Sequence, residues 1–210
     1  MITYIIIGIT VVISFIAFGN PTLMSKFIFN PYSIDKRKQY YRFITSGFIH
    51  GDIFHLLFNM MTLYFFGTGV EYLFNTAIFQ GYGSIMYILL YISGLIMSSS
   101  YSFYKHKDNP HYNALGASGA ISAVLFCSII VLPNSGIGIF PFSLLFPNGM
   151  MPAYIFGPLY LAYCVYMSKQ GNDNIGHEAH FLGAIWGILF IIVLWHGAIK
   201  NFIYQLPFLN

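Results

Sequence analysis

Six apolar runs of at least 17 residues leave this chain few ways to fold other than as helices packed side by side in lipid: Ile2 to Phe18, Ile53 to Leu73, Gly83 to Tyr104, Ala114 to Leu132, Met150 to Met167 and Ala179 to Ile199. A helix needs about 20 apolar residues to cross the hydrocarbon core, with a range of roughly 17 to 25, and helices satisfy every backbone polar group internally, as lipid demands. Breakers separate the runs at Asn20-Pro21, Asn75, Asp108-Asn109-Pro110, Pro133-Asn134 and Gly171-Asn172-Asp173-Asn174. The expected fold is an all-α membrane protein, a six-transmembrane-helix bundle forming one domain over residues 1–210. With the first run opening at Ile2, no separate soluble domain is expected.

Composition agrees with that class. Only 7% of residues are charged and the mean hydropathy is +0.69, against about 25% charged in soluble domains. The net charge of +3 is spread between apolar runs and forms no basic face, which excludes nucleic acid as a partner. Cys127 and Cys164 both fall inside apolar runs and read as small buried hydrophobes, with no disulfide or Cys-based metal site expected. Ala17-Phe18-Gly19 imitates the end of a signal peptide, but no basic region precedes the first run, so a retained helix is expected. The segment from Gly19 to Asp52 is rich in Phe and Tyr and reads as a long interfacial first loop, with Asp35-Lys36-Arg37-Lys38 as a solvated turn.

Polar residues inside such runs are costly and point to function. His55 and Asn59 open the second run, Gly116-Ala117-Ser118-Gly119 the fourth, and His180 the sixth. Six alternating spans would put these openings on one side of the membrane and at one depth. No run interior holds a carboxylate pair, which argues against two carboxylates sharing a proton. His177-Glu178-Ala179-His180 spaces its histidines three apart where the zinc motif H-E-x-x-H needs four, so no metal is expected there.

What remains is a hydroxyl nucleophile with a histidine base, Ser118 with His180, which requires two helices in close contact. Gly116 and Gly119 flank the serine, and Gly183 and Gly187 form a G-x-x-x-G stripe running from His180. That stripe alone more often marks ordinary helix packing. His55 and Asn59 are neighbours on one helical face and can donate to a developing oxyanion. The alternative, a packing network tying the second run to the long loop, stays open.

In this order, Tyr41-Arg42, His50 with His55 and Asn59, Glu71, Gly116-Ala117-Ser118-Gly119 and Ala179-His180 with Gly183 and Gly187 resemble the rhomboid intramembrane serine proteases, over about Tyr41 to Gly187. The resemblance implies a rhomboid-like bundle with Ser118 as nucleophile and His180 as general base and then acid. It implies an oxyanion hole of His55, Asn59 and the Ser118 N–H, with Arg42 and His50 supporting the first loop and Glu71 tying that loop to the bundle. Gly157-Pro158 in the fifth span would mark a lateral gate, and residues Gly171 to Gly176 a cap. The implied partners are transmembrane protein substrates and the lipid bilayer, with no cofactor. One departure is Ser122, where many bacterial relatives carry an aromatic that stacks on the base.

The resemblance places the site on the extracytoplasmic side of a plasma membrane. Counting Lys and Arg gives the opposite side, since Lys26, Lys36, Arg37, Lys38, Arg42, Lys105, Lys107 and Lys169 share the pocket side and Lys200 stands alone across from it. The long, half-embedded first loop is not the short loop on which that rule rests, so the resemblance is followed. Two rivals are a catalytically silent relative that binds membrane helices for trafficking or degradation, and a haem or metal carrier using His55 and His180.

Overall fold

The computed structural model describes residues 1–138, 145–146, 149–170 and 176–207. Its six longest helices among these are α1 (Ile2–Phe18), α2 (Ile53–Ile78), α3 (Gly83–His106), α4 (Ser118–Val131), α5 (Ala153–Gln170) and α6 (His177–Leu194). By length and composition three of them, α2, α3 and α6, can cross a membrane, while α1 and α4 are shorter apolar helices. The expectation of six spans is met by that measure for three.

Boundaries move where side chains serve the backbone. Asn75 does not end α2: its Nδ2 donates to the Glu71 carbonyl at 2.7 Å, and the helix runs on to Ile78 with π-helical stretches at Leu63–Gly67 and Phe74–Ile78. The expected start of α4 at Ala114 is four residues early, because Ala114 is paired instead with Phe29 through backbone bonds of 2.9 and 3.0 Å. Similarly α5 starts after Met151–Pro152 (β2), which pairs antiparallel with Gly136–Ile137 (β1). Near the end, α6 stops at Leu194 rather than Ile199, and a short helix follows at Ala198–Gln205. From that helix Asn201 Nδ2 and Gln205 Nε2 donate to the Val131 carbonyl at 2.9 and 3.1 Å, satisfying an oxygen that the last turn of α4 cannot.

Residues 19–52 fold rather than trail. Helices Pro21–Phe27 and Pro31–Arg37 each start with Asn-Pro, and Asn20 and Asn30 accept the N–H groups of Leu23 and Ser33 at 3.0 and 2.8 Å. An Asn cap followed by a proline that needs no N–H is a favourable helix start.

Helix α1 turns its small residues inward and its large apolar ones outward. In α1 the buried residues are Thr3, Thr10, Ser14 and Ala17, while Tyr4, Ile5, Ile9, Val12, Phe15 and Ile16 face outward. Lipid tails are as apolar as leucine, so helices there associate through close packing. At the centre is α4, in which every residue but Ser118 and Ile130 is buried. An added Cβ at Gly183 would run into the Gly119 carbonyl, one at Gly187 into the Ala123 carbonyl, and one at Gly94 would come within 3.1 Å of Ala120 Cα. Backbones of α3, α4 and α6 therefore touch directly.

This packing predicts that Gly183→Ala and Gly187→Ala each destabilise the protein by about 1–3 kcal/mol or more, the range for overpacking. Gly8→Ala, whose added methyl meets nothing within 4 Å, should leave the midpoint unchanged or slightly raised. Thermal unfolding in detergent compares them, and equal midpoints for all three would contradict the packing.

Candidate active site

Ser118 is reached through a pinned, non-helical segment. Gly116 donates its N–H to the Ser46 carbonyl at 2.9 Å and has φ +107°, a conformation that side chains resist. The His55 ring also lies against it, since a Cβ there would fall 2.7 Å from Cε1 and 2.9 Å from Nε2. Two independent constraints thus require glycine. Ser118, half-buried, is then the first residue of α4, so its N–H is among those a helix leaves without an internal partner, at the end where the peptide dipoles favour negative charge.

His180 lies in the first turn of α6, where its N–H donates to the Gly176 carbonyl at 3.0 Å. Contact between α4 and α6 is made at this level. A Cβ at Gly119 would sit 3.5 Å from the Ala179 carbonyl, and one at Gly183 would strike the Gly119 carbonyl. Hence the residue after Ser118 touches the residue before His180 and the one three beyond it, with no helix between.

His55 lies in the first turn of α2, capped by Asp52, whose Oδ1 accepts the His55 N–H at 2.9 Å. Asn59 is buried one turn on and donates one amide hydrogen to the His55 carbonyl at 2.9 Å, which leaves its second for a group outside the helix. The fully buried His50 packs edge-on against His55 with ring centroids 5.0 Å apart. Ser14 Oγ donates to the Phe48 carbonyl at 3.0 Å and lies 2.9 Å from His50 Nδ1. With its one hydrogen given to Phe48, Ser14 accepts from the ring, which puts a hydrogen on His50 Nδ1. Burial, reinforced by neighbouring His55, lowers the His50 pKa to about 3.

The supporting residues separate into two places. Arg42 is buried in the 19–52 segment, with Nη1 donating to the Ser25 and Ile28 carbonyls at 2.9 and 2.7 Å and Nε to Gln39 Oε1 at 2.7 Å. Glu71 serves α1 instead of the first loop: its carboxylate accepts from the Ile2 and Thr3 N–H groups and the Thr3 hydroxyl at 2.6, 2.9 and 2.7 Å, and pairs with the Met1 amino group. A buried carboxylate is satisfied there by the free N–H groups of another helix.

At Ser122, the position lacking an aromatic, the hydroxyl lies 3.2 Å from the Tyr160 hydroxyl of α5, whose ring also packs on Phe126. An aromatic from the neighbouring helix thus fills the space that Ser122 leaves. The structure also gathers a group that sequence reasoning missed: Cys164 of α5 with His177 and His180 of α6, their Sγ and ring nitrogens all within 4.8 Å of one another. The only signal for it was the i, i+3 histidine pair, because Cys164 lies on a different run. Of the expected cap, residues 171–175 lie outside the described residues.

Comparison with known proteins adds independent findings. A family model described as Rhomboid domain matches residues 37–197. The chain is 27% identical over 184 residues to RHOMBOID-like protein 12, mitochondrial, of Arabidopsis thaliana, covering 80% of this chain and 50% of that protein. It is 28% identical over 153 residues to Rhomboid protein 1, mitochondrial, of Saccharomyces cerevisiae, covering 70% and 40%. For Presenilin-associated rhomboid-like protein A, mitochondrial, of Danio rerio, identity is 27% over 149 residues, covering 70% and 36%. The chain spans half or less of the length of these relatives.

The buried neutral His50 has a pH consequence. Its pKa is about 3 folded and about 6.5 unfolded, so between those values the unfolded chain binds more protons. The stability this residue contributes is present above pH 6.5 and is lost as pH falls toward 3, at up to about 1.4 kcal/mol per pH unit. Unfolding midpoints in detergent should therefore fall on acidification, and less steeply in His50→Asn. Equal slopes would assign the acid lability to other groups.

Proposed function

The chain belongs to the rhomboid family, and we propose that it is an intramembrane serine endopeptidase that cuts transmembrane helices of other membrane proteins. Ser118 Oγ attacks the scissile carbonyl carbon while His180 takes the hydroxyl proton. The resulting oxyanion accepts hydrogen bonds from the Ser118 N–H at the start of α4, the second amide hydrogen of Asn59, and His55. His180 returns the proton to the departing amine as the C–N bond breaks. A water, deprotonated by the same histidine, then hydrolyses the acyl-enzyme ester and restores the serine.

The observation that carries this reading is the contact of Gly119 with Ala179 and Gly183, which brings the first turns of α4 and α6 together at the level of Ser118 and His180. A substrate helix must unwind locally before attack, since its backbone is otherwise hydrogen-bonded within itself, so small or helix-breaking residues are the expected cleavage sites. Lateral access past α5 is supported by how little of it is buried, only Ala153, Gly157 and Cys164. The six-span arrangement and a site toward the extracytoplasmic side belong to this reading. The plasma-membrane placement has no support among the relatives, all three of which carry mitochondrial names.

A catalytically silent relative is the second reading, and the same labelling experiment separates the two. A fluorophosphonate probe should capture the parent protein and fail to capture Ser118→Ala, while both unfold at the same temperature. Cleavage of a model transmembrane substrate should fall by roughly 10³-fold or more in Ser118→Ala. Asn59→Ala should lower kcat by about 10²–10³-fold with a smaller change in KM, because its donor acts on the transition state. Probe capture that survives in Ser118→Ala would end the nucleophile assignment.

A further inference from the structure

The histidine assigned as base belongs to a second constellation. His177 and His180 stand three apart on one face of α6, and Cys164 of α5 faces them, the three ligand atoms lying within 4.8 Å of one another. Cys164 and His177 are buried and His180 is half-buried. One thiol and two imidazoles are the donor set that suits zinc and its neighbours, not the oxygen-seeking magnesium or calcium.

We propose that Cys164, His177 and His180 form a binding site for zinc or a similar borderline-soft divalent cation, and that its occupancy switches the peptidase off. The inhibitory half rests on His180 being the base; the site itself does not. Tetrahedral zinc, with Zn–S about 2.3 Å and Zn–N about 2.0–2.1 Å, holds such atoms roughly 3.3–3.6 Å apart. Drawing the ligand atoms in by about 1 Å, through rotation of one cysteine and two histidine side chains, closes the site. The Cys164 thiol gives up its proton to solvent as the Zn–S bond forms, and both imidazoles bind through a neutral nitrogen lone pair. Three protein ligands leave the fourth position to water.

Two consequences follow for the same residues. Once its lone pair is on the metal, His180 cannot accept the Ser118 proton. The metal also bonds α5 to α6, and α5 is the sparsely buried helix past which a substrate would enter. A single ion therefore removes the base and fixes the gate.

Cobalt(II) is the probe, since its visible spectrum reports ligands without any need for catalysis. Metal-free parent protein in detergent should develop a thiolate-to-cobalt charge-transfer band that zinc(II) abolishes, and Cys164→Ala should lack the band. His177→Gln, a second variant should Cys164→Ala misfold, should bind cobalt at least tenfold more weakly. No band in the parent, or the same band in Cys164→Ala, overturns the site. In parallel, zinc(II) should suppress fluorophosphonate capture of the parent at least tenfold, while Cys164→Ala keeps its capture at that zinc concentration. Zinc-insensitive capture alongside a cobalt band would overturn the inhibition. Absent capture in the metal-free parent would overturn the peptidase reading instead, leaving the site to be judged by the cobalt band alone.

Discussion

Direct backbone contact between α4 and α6 is the constraint from which the rest of the structure follows. Gly183 and Gly187 present bare backbone to the Gly119 and Ala123 carbonyls, and any side chain at either glycine would part the helices. Within lipid no hydrophobic force would draw them back together, because tails solvate apolar surface as well as another helix does. Dispersion between closely fitted backbones holds them, and it falls away over an ångström or less. The same tightness sets the register of Ser118 against His180.

Many polar side chains within the long helices, those of α2 above all, are answered by their own helix. The Thr62, Thr68 and Thr76 hydroxyls and the Asn75 amide each return to the carbonyl four residues earlier, at 2.8, 2.7, 2.9 and 2.7 Å. Such back-bonding lets a polar residue sit in an apolar helix without an outside partner. Glu71 cannot do this as a carboxylate, and it is met by the N-terminus of α1. Set against these self-contained residues, the first turns of α2, α4 and α6 stand out, since there the His55 ring lies against Gly116 and the residue after Ser118 lies beside the one before His180. At 14 residues, α4 is about 21 Å long, well short of the ~30 Å hydrocarbon core. Polar ends of so short a helix must be satisfied by protein, as Asn201 and Gln205 do at its far end.

How much of this could be read from residues alone depended on whether the controlling contact was local. The bounds of α1 were legible because an uninterrupted apolar run ends at Gly19-Asn20-Pro21. The start of α4 was not, because apolarity continues through Ala114 and Leu115 while a bridge to Phe29, 85 positions upstream, holds that backbone extended. Asn75 misled for the opposite reason, being a breaker by type that instead supports its own helix. The placement of His55, Asn59, Ser118 and His180 near the starts of their helices was legible, since each opens a run, as was the tight packing face at Gly183 and Gly187. The partner of Glu71, the filling of the Ser122 position by Tyr160, and the approach of Cys164 to two histidines were hidden, because each depends on which helix packs beside which.

That last group bears on why α5 matters to a site it does not itself complete. Its buried residues are small, and the Tyr160 hydroxyl ties it to Ser122 of α4. Tyr163, one turn along, packs edge-on against His177, with centroids 5.6 Å apart, and His177 in turn lies edge-on to His180 at 6.1 Å. Moving α5 outward would therefore strip the aromatic and thiol surroundings from the two histidines while leaving the glycine-tight contact between α4 and α6 untouched. A bundle built this way keeps Ser118 and His180 in register on the rigid pair of helices. It lets the surroundings of His180 change on the loosely held third helix, so an outward shift of α5 and a change around that histidine are one movement.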